Sequence, residues 1–164
     1  MPDDARPFVL DPVAGVRIAG LSDDGPDGAA PEDVAAVVAL WEACGLTRPW
    51  NPPDRDLADA LASPASTVLV ARATGDDASV AGGLVGTVLA GYDGHRGWLY
   101  YLAVAPGLRG AGIARALIAA AEAWLAERGA RKVQLMVRRG NPAASLYPLL
   151  GYEPQDTEVY GRWL

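Results

Sequence analysis

Three local signals between Trp98 and Arg128 constrain this chain more than any other stretch. WLYYLAV, residues 98–104, is uncharged, aromatic and aliphatic, as a buried strand is. A turn of Pro, Gly and Arg follows over Pro106–Gly112. An amphipathic helix is then expected from Ile113 to about Arg128, with Ile113, Leu117, Ala120, Ala121, Trp124 and Leu125 as its apolar stripe and Gly129 past its end. A strand, a glycine-rich turn and a helix N-terminus in that order form an anion-binding device. Glycine lets the turn backbone come close, the first helical N–H groups lack intrahelical partners, and the helix dipole favours negative charge. Phosphate or pyrophosphate is the natural ligand. The helix also acts as a crossover. The next apolar run, KVQLMV (132–137), should therefore be a strand parallel to the first.

The flanking sequence supplies the rest of a mixed sheet. Residues 1–15 carry Pro and Asp without periodicity and read as a flexible arm, leaving 16–164 as a single domain. Val16–Ala19 reads as a short strand and Ser22–Pro31 as a turn-rich loop. A helix begins near Pro31, with Val34, Val37, Val38 and Trp41 on one face, and stops at Gly45. Three prolines in Leu46–Asp56 argue against both helix and central strand there. A short helix is expected over about Arg55–Leu61. Thr67–Ala73, Val80–Tyr92 and Trp98–Val104 read as a meander joined by turns at 75–79 and 93–97. A short helix is expected at Ala143–Leu150, closed by Gly151, and a last strand at Thr157–Trp163. The fold class is α/β in the α+β sense, a mostly antiparallel sheet with one parallel pair and about four helices.

Charge and composition narrow the partners. The net charge of −6 speaks against nucleic acid, which needs a basic face. No apolar run is long enough to span a membrane. Cys44 is the only cysteine, so no intrachain disulfide forms, and a buried structural thiol in a reducing, cytoplasmic setting is expected. The start of the chain lacks a basic, apolar signal segment.

Two familiar phosphate loops fail against the central turn. No Gly-Lys-Ser/Thr follows the glycines, and the third glycine of the dinucleotide fingerprint is missing after Gly112. What fits is Arg109-Gly110-Ala111-Gly112-Ile113-Ala114, which resembles the R/Q-x-x-G-x-G/A signature of the GNAT superfamily of N-acetyltransferases. Ala103-Val104-Ala105-Pro106 resembles that family's preceding strand end. Asn141, Ala144, Tyr147, Gly151 and Tyr152 resemble its N…A…LYEKLGF segment. More narrowly, Gly45–Asn51 and Ala90–Gly97 are similar to segments of small bacterial acetyltransferases of the YpeA type.

The resemblance implies the GNAT fold, in which the parallel strand pair splays apart, and acetyl-coenzyme A as co-substrate without a metal. It implies that Leu102, Ala103 and Val104 hold pantetheine by backbone, one of their N–H groups serving as oxyanion donor. Arg109, Gly110, Ala111, Gly112, Ile113 and Ala114 would bind pyrophosphate, and Asn141 would cap the last helix and bond the coenzyme arm. Tyr147 resembles the general acid that protonates the departing thiolate.

The base is less defined. The strand WLYYLAV has no carboxylate, which leaves Asp93 and His95 in the preceding turn, Tyr100 or Tyr101 through water, and Asp54 or Asp56 in the proline-rich loop. The acceptor groove is expected between Leu46–Asp56 and Asp93–Gly97, with Trp50, Asn51 and Tyr100 as substrate-binding residues. Without a strong base, an α-amine of pKa about 8 is easier to free at neutral pH than a lysine-like amine of about 10.4. The expected activity is acetyl transfer to an amine by direct attack in a ternary complex. The competing reading is a non-catalytic acyl-coenzyme A sensor. A homodimer through an edge strand at Thr157–Trp163 is a further expectation.

Overall fold

The structure, a computed structural model, describes residues 13, 15–24, 28–74 and 83–164. The expected arm over 1–15 falls almost wholly outside the described residues, as do the turn at 75–79 and the first residues of the strand expected from Val80. Five strands form one sheet in sequence order: β1 (Val16–Gly20), β2 (Ser66–Ala73), β3 (Leu84–Tyr92), β4 (Gly97–Val104) and β5 (Val133–Leu135). The first four are antiparallel neighbours, and β5 runs parallel to β4. The helix α3 (Ile113–Glu127) makes the crossover between these last two strands, so they must be parallel.

The helices cover both faces. α3 buries Ile113, Leu117, Ile118, Ala120, Ala121, Trp124 and Leu125, against Ile18, Leu69, Val85 and Leu99. Each large side chain of this kind contributes about 1.5–3 kcal/mol on burial. On the opposite face, α1 (Pro31–Ala43) and α2 (Pro53–Ala62) seat Val37, Trp41 and Leu57 on Val68, Val70, Leu84 and Ala103. The half-buried ion pair between Arg72 of β2 and Asp33 of α1, 2.9 Å apart, ties helix to sheet. Gly97 opens β4 under α3. A Cβ there would lie 2.7 Å from Leu125 Cδ1, so any other residue would make the Leu125 side chain shift.

Several expected boundaries shift for physical reasons. α2 begins at Pro53, inside the loop expected to be non-helical, because proline is tolerated in a first helical turn. The helix expected at Ala143–Leu150 divides into a 3₁₀ turn, Pro142–Ser145, and the single turn α4, Leu146–Leu149. The strand expected at Thr157–Trp163 does not form. With β5 only three residues long, the sheet has no matching edge for seven more. Val159, Tyr160 and Trp163 consequently stand exposed.

Candidate active site

The site begins where a ladder stops. β4 and β5 pair at Gly97–Val133, Trp98–Gln134 and Leu99–Leu135, and no further. From Tyr100 to Val104, β4 has no strand beside it on that edge among the described residues. The opening is a cleft of about 1020 Å³ that reaches from Leu99 and Leu135 to the N-terminus of α3. The sheet is therefore slotted, and both helical layers look into the slot. Leu102 and Val104 pack towards α3, whereas Tyr101 and Ala103 pack towards α1 and α2.

A bulge shapes the open edge. Tyr100 faces Leu89 and Ala103 faces Thr87, so Tyr101 and Leu102 together oppose Val88 alone. Tyr101 takes φ +50°, the only non-glycine residue with positive φ among the described residues. Such a conformation costs about 1–3 kcal/mol and persists only when its surroundings hold it. Three contacts do so. The Tyr101 ring stacks on Trp41 at 3.8 Å between centroids and 14° between planes. Its carbonyl accepts from Thr87 Oγ1 at 3.0 Å. Its hydroxyl donates to Asp56 Oδ2 at 2.5 Å. The fully buried Thr87 hydroxyl in turn accepts from Trp41 Nε1 at 2.9 Å.

Past Val104 the chain makes a 3₁₀ turn, Pro106–Leu108, and enters α3 through Gly110 and Gly112. Gly112 caps the helix at φ +86°, a left-handed conformation that an L side chain adopts only with strain. The Arg109 guanidinium folds back over the slot, its Nε donating to the Val104 carbonyl at 3.5 Å and Nη2 lying 3.8 Å from Cys44 Sγ. Cys44 itself donates to the Val104 carbonyl at 3.4 Å. It is half-buried and lines the cleft, where the sequence leads one to expect a buried structural thiol. Arg48, Arg109, Arg115, Arg138 and Arg139 line the cleft, with no carboxylate among its described walls. An acidic chain thus concentrates cations at one anion-ready opening. Open strand edge, free helix N–H groups, left-handed glycines and arginines all suit a pantetheine–pyrophosphate ligand.

Tyr147 enters from the α3 side. It is half-buried, and burial raises its pKa, so the phenol keeps its proton at neutral pH. Tyr152 holds its ring edge-on at 6.1 Å, and the Tyr152 hydroxyl is fixed on Glu122 Oε1 at 2.7 Å. Asn141 lines the same cleft and caps the 3₁₀ turn after it, its Oδ1 accepting from Ala143 N at 2.9 Å.

The slot brings together Leu102, Ala103, Val104, Arg109, Gly110, Gly112, Ile113, Ala114, Asn141, Tyr147 and Tyr100; Ala111 does not line it. Asp93, His95, Trp50 and Asn51 stand outside. Asp93 serves its own turn. Its Oδ1 accepts from the His95 and Arg96 amides at 2.7 and 2.6 Å, and Oδ2 accepts from Trp98 Nε1 at 3.0 Å. These bonds, those from Arg96 N and Trp98 first, lower its pKa to about 2 and leave it a weak base. His95 sits exposed beside Arg96. Trp50 is 59% exposed. Asn51 adjoins the Tyr101 hydroxyl at the cleft's α2 side. Among the described residues no His, Cys, Asp and Glu gather as a metal site, and no helix is long and apolar enough to cross a membrane.

Sequence reasoning missed Arg48, Arg115, Arg138 and Arg139. The signal for the last pair is two cations in the loop that follows the strand parallel to β4.

The fold is similar to those of solved acetyltransferases. AAC(6')-Iy, solved with the bisubstrate analogue CoA-S-monomethyl-acetylneamine, has a similar fold at TM-score 0.66. The two are 20% identical, over 91% of this chain and 98% of that one. A ribosomal-protein-alanine N-acetyltransferase from Brucella melitensis is similar at TM-score 0.63 and 25% identity, over 91% of this chain and 99% of that one. In sequence, an acetyltransferase of Yersinia enterocolitica is 45% identical over 133 residues, covering 80% of this chain and 89% of that protein. One from Sodalis glossinidius is 47% identical over 127 residues, covering 77% and 84%. The model of the acetyltransferase (GNAT) family matches residues 35–152, and the chain belongs to that family. It is an acyltransferase of a family that uses acetyl-coenzyme A.

Proposed function

We propose that the protein transfers the acetyl group of acetyl-coenzyme A to an amine by direct attack within a ternary complex. The observation that carries this reading is the unpaired edge of β4 running into the N-terminus of α3. Acetyl-coenzyme A supplies a thioester, an activated acyl group. Backbone groups of Leu102, Ala103 and Val104 hold the pantetheine arm. One of their N–H groups faces the thioester carbonyl, a preorganised donor worth about 3–4 kcal/mol to the transition state. The helix N-terminus and the loop Arg109–Ala114 bind the pyrophosphate, and Asn141 borders the arm. The neutral amine adds to the thioester carbon, the oxyanion so formed expels the thiolate as the C–S bond breaks, the amine's surplus proton passes to solvent, and Tyr147 protonates the thiolate and regains its proton from solvent. Cys44 offers no covalent route, because its thiol is turned onto a carbonyl and no base adjoins it among the described residues.

Calorimetry with acetyl-coenzyme A, followed by a thiol-release assay over amines, amino acids, polyamines and N-terminal peptides, tests this. Tyr147→Phe should lower kcat about 100-fold and leave coenzyme binding intact. Binding without turnover of any acceptor would favour a sensor, and no binding would end the reading.

A further inference from the structure

The charge along the cleft changes sign just behind its wall. Its described walls gather five arginines and no carboxylate. Behind the lining residue Tyr101, on α2, stands Asp56, half-buried and fixed by the Tyr101 hydroxyl at 2.5 Å. Among the described residues no basic side chain pairs with it. The ion pairs there, Arg55–Asp59 and Arg72–Asp33, both leave it out. A half-buried carboxylate without a cation is costly unless something compensates it. Asp56 lies in the first turn of α2, the end of a helix whose dipole favours negative charge. Its one polar side-chain partner, Tyr101, is the strained bulge residue that lines the slot. A left-handed tyrosine clamped by Trp41, Thr87 and Asp56 is a costly way to place a phenol unless that placement matters. Because Tyr101 packs on the α1 and α2 face and Tyr147 on the α3 face, the two reach the slot from opposite layers. An acceptor arriving on the Tyr101 side leaves Tyr147 to the leaving group.

We infer that Asp56, oriented by Tyr101, binds the positive charge of the acceptor, and that the acceptors are cationic primary amines with no carboxylate on the neighbouring carbon. This rests on the acetyl-transfer reading above. A carboxylate beside the ammonium would meet Asp56 as a like charge, so free amino acids are disfavoured while diamines and amidated amines are accepted. Asp56 acts on affinity for the acceptor, and Tyr101 acts through Asp56 as a positioning residue.

The test uses the full chain saturated with coenzyme A, which has no acetyl group to transfer. Its binding is measured first, so a failure of the general reading shows there and separately. Calorimetric titration with 1,4-diaminobutane should then give binding that Asp56→Asn weakens at least about tenfold, equivalent to 1.4 kcal/mol. Asparagine keeps an acceptor for the Tyr101 hydroxyl and removes only the charge. Asp59→Asn, at an exposed carboxylate paired with Arg55, should leave the affinity unchanged. Tyr101→Phe should weaken it by less than Asp56→Asn, and it decides the matter if that variant fails to bind coenzyme A. Glycinamide should bind more tightly than glycine. Equal diamine affinity in the wild type and Asp56→Asn, no diamine binding at about 20 mM, or a preference for glycine would each overturn the inference.

Discussion

Replacing Thr87 by valine asks whether one buried hydroxyl holds the bulge. The side chain keeps its shape and loses two bonds, the acceptance from Trp41 Nε1 at 2.9 Å and the donation to the Tyr101 carbonyl at 3.0 Å. The site is sealed, with Thr87 at 0% exposure, so water does not replace them. An orphaned buried indole N–H costs about 1–3 kcal/mol, and the carbonyl, with a second lone pair, adds about 1. The expected loss is about 2–4 kcal/mol. In urea, with a slope of about 2 kcal/mol/M, the midpoint should fall by about 1–2 M. Thr87→Ser keeps the hydroxyl and gives up one methyl, a loss of about 0.8 kcal/mol. The valine variant should also bind acetyl-coenzyme A more weakly than the serine variant, since the freed carbonyl belongs to the residue that shapes the open edge. A valine variant within about 0.5 kcal/mol of wild type, or a serine variant as unstable as valine, would refute the account.

Other consequences are separately measurable. Gly112→Ala places an L residue at φ +86°, which should cost about 1–2 kcal/mol in thermal unfolding and weaken acetyl-coenzyme A severalfold; unchanged affinity would remove the loop from the donor site. Asp93, with its pKa lowered to about 2 from the ordinary 3.8, contributes stability that is present above about pH 4 and lost as pH falls through about 2. The melting temperature of Asp93→Asn should therefore change less than that of wild type across that window, and parallel curves would count against this. Alkylation of Cys44, the single cysteine, should slow severalfold under saturating acetyl-coenzyme A because the thiol lines the cleft; an unaltered rate would place the ligand elsewhere.

Local signals were legible in the sequence, and long-range coincidences were not. α3 starts at the residue its apolar stripe marks, and the crossover dictates the parallel pair, because both follow from nearest-neighbour periodicity and chain connectivity. The end of that pairing at Leu99–Leu135 depends on how two strands diverge, which no local pattern encodes. The Tyr101–Asp56 bond spans 45 positions, and the five arginines of the cleft stand at 48, 109, 115, 138 and 139. A net charge of −6 hides such a cluster, because an average carries no position. Trp50, an aromatic in a polar loop, reads as a pocket wall, and the fold leaves it largely in solvent. Alternation at Thr157–Trp163 resembled a strand, but a strand also needs an edge to join.

The unpaired edge of β4 has a consequence for sequence drift. Main-chain N–H and C=O groups are the same in every residue but proline, so the hydrogen bonds offered from Tyr100 to Val104 do not depend on which side chains occupy those positions. Substitutions at Leu102 or Val104 are filtered by fit against α3, and those at Ala103 by fit against α1 and α2. If β4 holds the donor as proposed, that grip passes intact through mutations that preserve volume. The proposed acceptor side, which rests on single side chains such as Asp56, has no such insulation. On that reading one point mutation there would redirect the enzyme while its donor chemistry carries on undisturbed.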